Sequence, residues 1–222
     1  MQAAKQVAQV LRLMLPPQGD ILVLGLGNRR MTADALGDRV VSGILVTRHL
    51  KEGKLRGVCA MAPGVLGVTG VETAEMARGL VERLNPSAVL VVDALAAREM
   101  DHIASTVQLT DTGIHPGSGV GNHRMGITRE TMQVPVIALG IPMVVYASTI
   151  VRDTLRAVLQ GAGEAEAEAM ATWFSGHAEQ DMVVTPRNID ELVAGLADML
   201  ALAINSALQT AYSIDELSHY LH

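Results

Sequence analysis

The sequence predicts an α/β fold, a three-layer αβα arrangement around a mainly parallel, twisted sheet. Three observations carry this reading. Short aliphatic runs bounded by glycine or proline alternate with longer segments whose apolar residues recur at helical spacing. The runs Ile21–Gly25, Ala88–Val92 and Val134–Gly140 are apolar throughout, as strands covered on both faces are. Finally, 49% of the 222 residues are apolar but only 2% are aromatic, so one core must be packed from Val, Leu, Ile, Ala and Met.

Taken in order, Gln2–Met14 has apolar residues at helical spacing and stops before Pro16-Pro17. Ile21–Gly25 is the first strand. The residues from Ala33 to about Glu52 read as a helix, with Thr32 as its N-cap and Asp34 in its first turn. Gly57–Ala62 is a second strand, and Thr69–Glu72 has the capping-box pattern of a helix running to Leu84. Ala88–Val92 is a central strand and Ser105–Leu109 an edge strand. Asp111–Ile127, with five glycines and no periodicity, is one long loop. Val134–Gly140 is a buried strand and Tyr146–Gln160 a helix. Residues 164–180 form a helical insertion, and Met182–Thr185 is a short extended piece. Ile189–Gln209 is a long apolar helix suited to a subunit contact, followed by a short tail helix. The whole is expected to be a single domain, 1–222.

Composition excludes several classes. No apolar run reaches the roughly 20 residues of a membrane span, and Lys5 and Arg12 interrupt any signal-peptide pattern. A single Cys59 forbids an internal disulfide and fits a reducing cytoplasm. A formal charge of −6 argues against direct nucleic-acid binding.

The glycine turn Gly25-Leu-Gly27 fails as a dinucleotide fingerprint, because Arg30 stands where a third small residue is needed. Ser118 lacks the flanking glycines of a nucleophile elbow, with Pro116 and Val120 at those places. Cys59 lies within an aliphatic strand and reads as a structural thiol. Carboxylates are more informative. Asp93 ends the most apolar strand, and Asp34 follows a neighbouring parallel strand at the same edge of the sheet. Two carboxyls confined together cannot both ionise easily, so one keeps a proton. Such a pair can activate water and protonate a leaving amine. Alternatively the pair holds a divalent ion with His115 from the long loop, giving a metal trio Asp34, Asp93 and His115.

Several longer segments resemble the bacterial spore germination protease family: Gly25–Asn28, Thr32–Gly37, Leu45–Leu50, Ala62–Gly67, Asp93–Arg98, Asp111–Asn122, Val183–Pro186 and Ile189-Asp190. They occur in order from about Ile21 to Gln209. The resemblance implies an aspartic-type endopeptidase of the spore core that degrades small acid-soluble spore proteins at germination and assembles as a tetramer. It places the two catalytic aspartates on Asp34 and Asp93. It also implies a fold similar to hydrogenase maturation endopeptidases, of the phosphorylase/hydrolase-like kind, in which equivalent acids and a histidine bind metal. The family's preference for glutamate on the acyl side of the cut bond requires a cationic pocket. Arg48 and Arg98 are the candidates, with Gly117 and Gly119 approaching the peptide backbone. Family members carry a longer N-terminal region with a propeptide. Only about twenty residues precede the glycine turn here, so control by propeptide removal is not expected.

Overall fold

The computed structural model describes residues 1–50, 55–116, 125–159, 164–177 and 182–218. Six strands form one sheet: β1 (Ile21–Gly25), β2 (Val58–Met61), β3 (Ala88–Ala97), β4 (Gln108–Thr110), β5 (Val136–Tyr146) and β6 (Val183–Val184). Their order is β2-β1-β3-β5-β4, with β6 joined to the far end of β5. The first four are parallel, while β4 and β6 run antiparallel to β5. The helices are α1 (Gln2–Met14), α2 (Leu36–Ser42), α3 (Leu66–Thr69), α4 (Thr73–Leu84), α5 (Arg129–Met132), α6 (Ala147–Leu159), α7 (Glu164–His177), α8 (Ile189–Leu208) and α9 (Ile214–Ser218). This is the αβα sandwich of the predicted class.

The central strands bury both faces because their side chains alternate between two helical layers. Ile21, Val23, Leu90, Val92, Ile137 and Leu139 pack under α1, α2 and α8. Leu22, Leu24, Val89, Val91 and Ala138 pack under α4, α5 and Ile127. Each fully buried Val or Leu contributes roughly 1.5–3 kcal/mol, so the sheet centre is the most strongly fixed part of the molecule. α1 buries Ala4, Val7, Ala8 and Leu11 and leaves Leu13 in solvent; it ends where Leu15 turns extended before Pro16.

α8 has the length and composition of a membrane span, yet 61% of its most apolar window is buried within the fold. It lies against α1 and α2, and its Ala197, Leu200, Ala201, Ala203 and Ile204 are core residues. The apolar face expected to make a subunit contact is therefore spent within the chain.

Four local expectations are corrected. The helix from Ala33 to Glu52 is instead a 3-10 turn over Thr32–Asp34 followed by the seven-residue α2. The chain leaves the helix at Gly43 because α8 takes over its polar groups: Asn205 accepts from the Leu45 N–H at 2.9 Å and donates to the Gly43 carbonyl at 2.9 Å. Thr32 caps nothing, since the N-cap of the turn is Met31. Thr69 closes α3 rather than opening α4, with Gly70 left-handed at φ 73° between them. The expected strand Ala88–Val92 continues to Ala97, which puts Asp93 within β3 rather than at its end.

Candidate active site

β1, β3 and β5 run side by side, with Gly25 opposite Val92 and Asp93 opposite Gly140. The carboxyl edge of β1 thus stops one residue short of Asp93. The chain turns away there at Gly27, which has a φ of +105° that favours glycine. Close packing makes small residues necessary as well. A Cβ on Gly25 would lie 2.1 Å from the Gly37 carbonyl oxygen, and one on Gly27 would lie 2.0 Å from that of Asp34. The glycines that sequence reasoning tested as a phosphate cradle serve to seat the 3-10 turn and α2 against the sheet.

That seating delivers Asp34 to Asp93. The Asn28 N–H donates to Asp34 Oδ2 at 2.8 Å, and the Asn28 side chain accepts from the Arg30 N–H at 3.0 Å, which fixes the turn. Asp93 Oδ1 accepts from the Ala94 N–H at 2.9 Å. Both carboxyls are partly buried. Burial raises the Asp34 pKa, and the Asn28 bond pulls it back. Asp93 is pushed up to about 8, first by burial and second by the charge of Asp34, against the Ala94 N–H. Burial thus pushes both acids toward the protonated form and does so further at Asp93, where the charge of Asp34 adds to it, as expected of two confined carboxyls.

The other candidates do not converge on this pair. Arg48 is at the opposite, amino edge of the sheet, where its Nε lies 3.1 Å from Asp20 Oδ2 just ahead of β1. The five residues of β1 separate it from the acid pair by roughly 16 Å, so Arg48 does not converge on the two carboxyls. Arg98 is exposed beyond the end of β3, five residues from Asp93, and its carbonyl accepts from the Arg152 guanidinium. His115 packs over Gly126, where a Cβ would lie 2.6 Å from its ring. Among the described residues no three His, Cys, Asp or Glu side chains are placed to hold a metal ion. The trio of Asp34, Asp93 and His115 is accordingly not assembled among the described residues. Gly117 and Gly119, with Ser118 between them, lie outside the described residues. Cys59 sits half-buried on β2 with its thiol 3.7 Å from the Ile21 carbonyl, and burial pushes its pKa up, away from nucleophilic use.

Comparison with known proteins matches residues 2–173 to the family model described as germination protease. This chain belongs to the germination protease family. A germination protease of Caldanaerobacter subterraneus subsp. tengcongensis is 41% identical across 99% of this chain and 76% of its own length. One from Clostridium perfringens is 41% identical, covering 94% of this chain and 71% of its own. A looser likeness links the chain to the solved [NiFe] hydrogenase maturation protease HycI of Thermococcus kodakarensis KOD1. That structure is 15% identical with a TM-score of 0.46, covering 88% of this chain and 98% of that one.

For a germination protease family member, the supports of the acid pair matter as much as the acids. No site role was read from the sequence for Asn28, Gly37 or Ala94. The available signal was the segment Gly25–Asn28 itself, where a tight turn after a buried strand brings a backbone N–H toward the next acid.

Proposed function

We propose that this protein is an endopeptidase of spore germination that cuts small acid-soluble spore proteins, using Asp34 and Asp93 on a water molecule. The observation carrying this reading is the pair of neighbouring carboxyls at the carboxyl edge of the sheet, of which Asp93 is held further toward its protonated form. Asp34, as the carboxylate, removes a proton from water attacking the scissile carbonyl. Asp93, as the acid, hydrogen-bonds the carbonyl oxygen and supplies the proton that the departing amine takes up. Arg98, just beyond the end of β3, is the candidate cation for a substrate glutamate. The reading places the protein in the cytoplasm of the spore core and includes assembly of several copies, a tetramer by family resemblance. The exposed Val158, Met170 and Met182 offer apolar surface for such assembly.

The test is digestion of a purified small acid-soluble spore protein by the wild-type chain and by Asp34→Asn and Asp93→Asn, with and without a strong chelator. The reading expects discrete cleavage by wild type, indifference to chelator, and loss of at least about a thousandfold in kcat in either variant. Full activity in either variant would sink it. Loss of wild-type activity on chelation, restored by a divalent ion, would move the same site to metal-dependent hydrolysis. Binding without turnover by wild type would make the chain a silent relative.

A further inference from the structure

β3 outruns β1, and this leaves a strand edge open beside the acid pair. Backbone alternation fixes which groups lie on that edge. The Val89 N–H donates to Pro135 at 2.9 Å on the β5 side, whereas the Val92 carbonyl accepts from the Leu26 N–H at 2.8 Å on the β1 side. Odd-numbered residues of β3 therefore point their amides at β5, and even-numbered ones point them toward β1. Past Val92 there is no more β1 to meet them, although β3 stays paired with β5 as far as Ala97. The Ala94 N–H turns to Asp93 Oδ1. The β3–β5 register shifts between Leu95 and Ala96, but the extra residue, Met143, lies on β5, so β3 keeps its own alternation. The Ala94 carbonyl and the backbone groups of Ala96 then face the gap, with no hydrogen-bond partner among the described residues. Ala94 and Ala96 are partly buried and too small to block a neighbouring chain.

Unpaired backbone groups on a partly buried edge are a template for a further strand. On the basis of the peptidase reading above, we infer that the substrate polypeptide binds in extended form along Ala94–Ala97 of β3, adding a strand where β1 has ended. Continuity with the acid pair selects this occupant. The edge starts at the residue following Asp93, so a strand laid on it carries its own backbone carbonyls past both carboxyls. Main-chain pairing also provides affinity without demanding one side-chain sequence, and it requires the target segment to be unfolded or readily straightened.

The experiment measures binding of labelled peptides, each about fifteen residues, that tile a small acid-soluble spore protein, to the full chain carrying Asp34→Asn. The tightest peptide is then remade with single N-methyl amides along its length. An added strand directs alternate amides to β3, so N-methylation should weaken binding at least tenfold at the two alternate positions that face the Ala94 and Ala96 carbonyls and less than threefold elsewhere. Ala96→Pro removes the open-edge N–H and fills the gap while sparing the bonds to β5, a placement proline tolerates at an edge. It should weaken binding at least tenfold with the thermal midpoint little changed. If Ala96→Pro does not fold, the N-methyl series on the chain with Ala96 decides alone. Uniform tolerance of N-methylation, wild-type affinity in Ala96→Pro, or no peptide bound at all would overturn the added strand. Alternation without any cleavage by the wild-type chain would overturn the peptidase reading and leave the added strand standing.

Discussion

The two ends of the parallel sheet handle polar groups in opposite ways. At the amino edge the buried Thr47 and Gln209 are answered by hydrogen-bond partners. Thr47 donates to the Arg56 carbonyl and accepts from the Val58 N–H at 3.1 Å, while Gln209 donates to Thr47 at 3.2 Å and to the Arg56 carbonyl at 3.0 Å and accepts from the Arg56 N–H at 3.1 Å. Asp20 has Arg48 beside it. At the carboxyl edge, Asp34 and Asp93 share a confined space, each with one backbone N–H and with each other's charge. The first arrangement adds stability. The second gives some up and holds a proton ready, which is the usual mark of a functional site.

The contrast can be broken most strongly at Asp93. In the fold its carboxyl keeps its proton to a much higher pH than in the unfolded chain. Its favourable contribution is therefore complete below about pH 4 and is lost as pH rises through about 8. Asp93→Asn removes that dependence and keeps an oxygen for the Ala94 N–H. The variant should match wild type near pH 4 and exceed it by several kcal/mol above pH 8, read from denaturant unfolding across pH. An equal difference at all pH values would mean that Asp93 is not held protonated by the fold.

Next in size is the turn that delivers Asp34. Gly27→Ala sets a side chain at φ +105° and drives its Cβ against the Asp34 backbone. A loss on the order of 3 kcal/mol is expected, from left-handed strain and overpacking together, with a fall in any activity that uses Asp34. Unchanged stability and activity would show that the turn relaxes freely.

At the other edge, Gln209→Ala strands the Arg56 N–H and carbonyl in the interior. About 1–3 kcal/mol of stability should be lost without a change in the pH profile, because nothing titratable there is disturbed. The smallest effect is expected at Arg48. Its ion pair with Asp20 is exposed, with side chains 42% and 41% accessible, so Arg48→Gln should alter stability by no more than about 1 kcal/mol. Cleavage kinetics should also be unaffected; a marked rise in KM would return Arg48 to the substrate site.

What the sequence determined by itself is the part written in long apolar runs and in short-range punctuation. α1 and β1 fall at the expected residues because Pro16-Pro17 and Gly25 end them locally. The pairing of Asp34 with Asp93 was legible because parallel strands bring the residues that follow them to one edge. The family resemblance pointed to the same two positions. Tertiary structure alone decided the rest. α2 ends at Gly43 because Asn205, more than 160 residues away in the chain, competes for its polar groups. Arg48 lies at the amino edge because that shortened helix turns the chain back to pair with Val58 before β2 begins. Five residues more of β3 than the sequence indicated open the edge beside Asp93, and they persist because β5 runs on alongside them. Local signals set where an element starts and stops on its own; the neighbour it finds sets how far it continues.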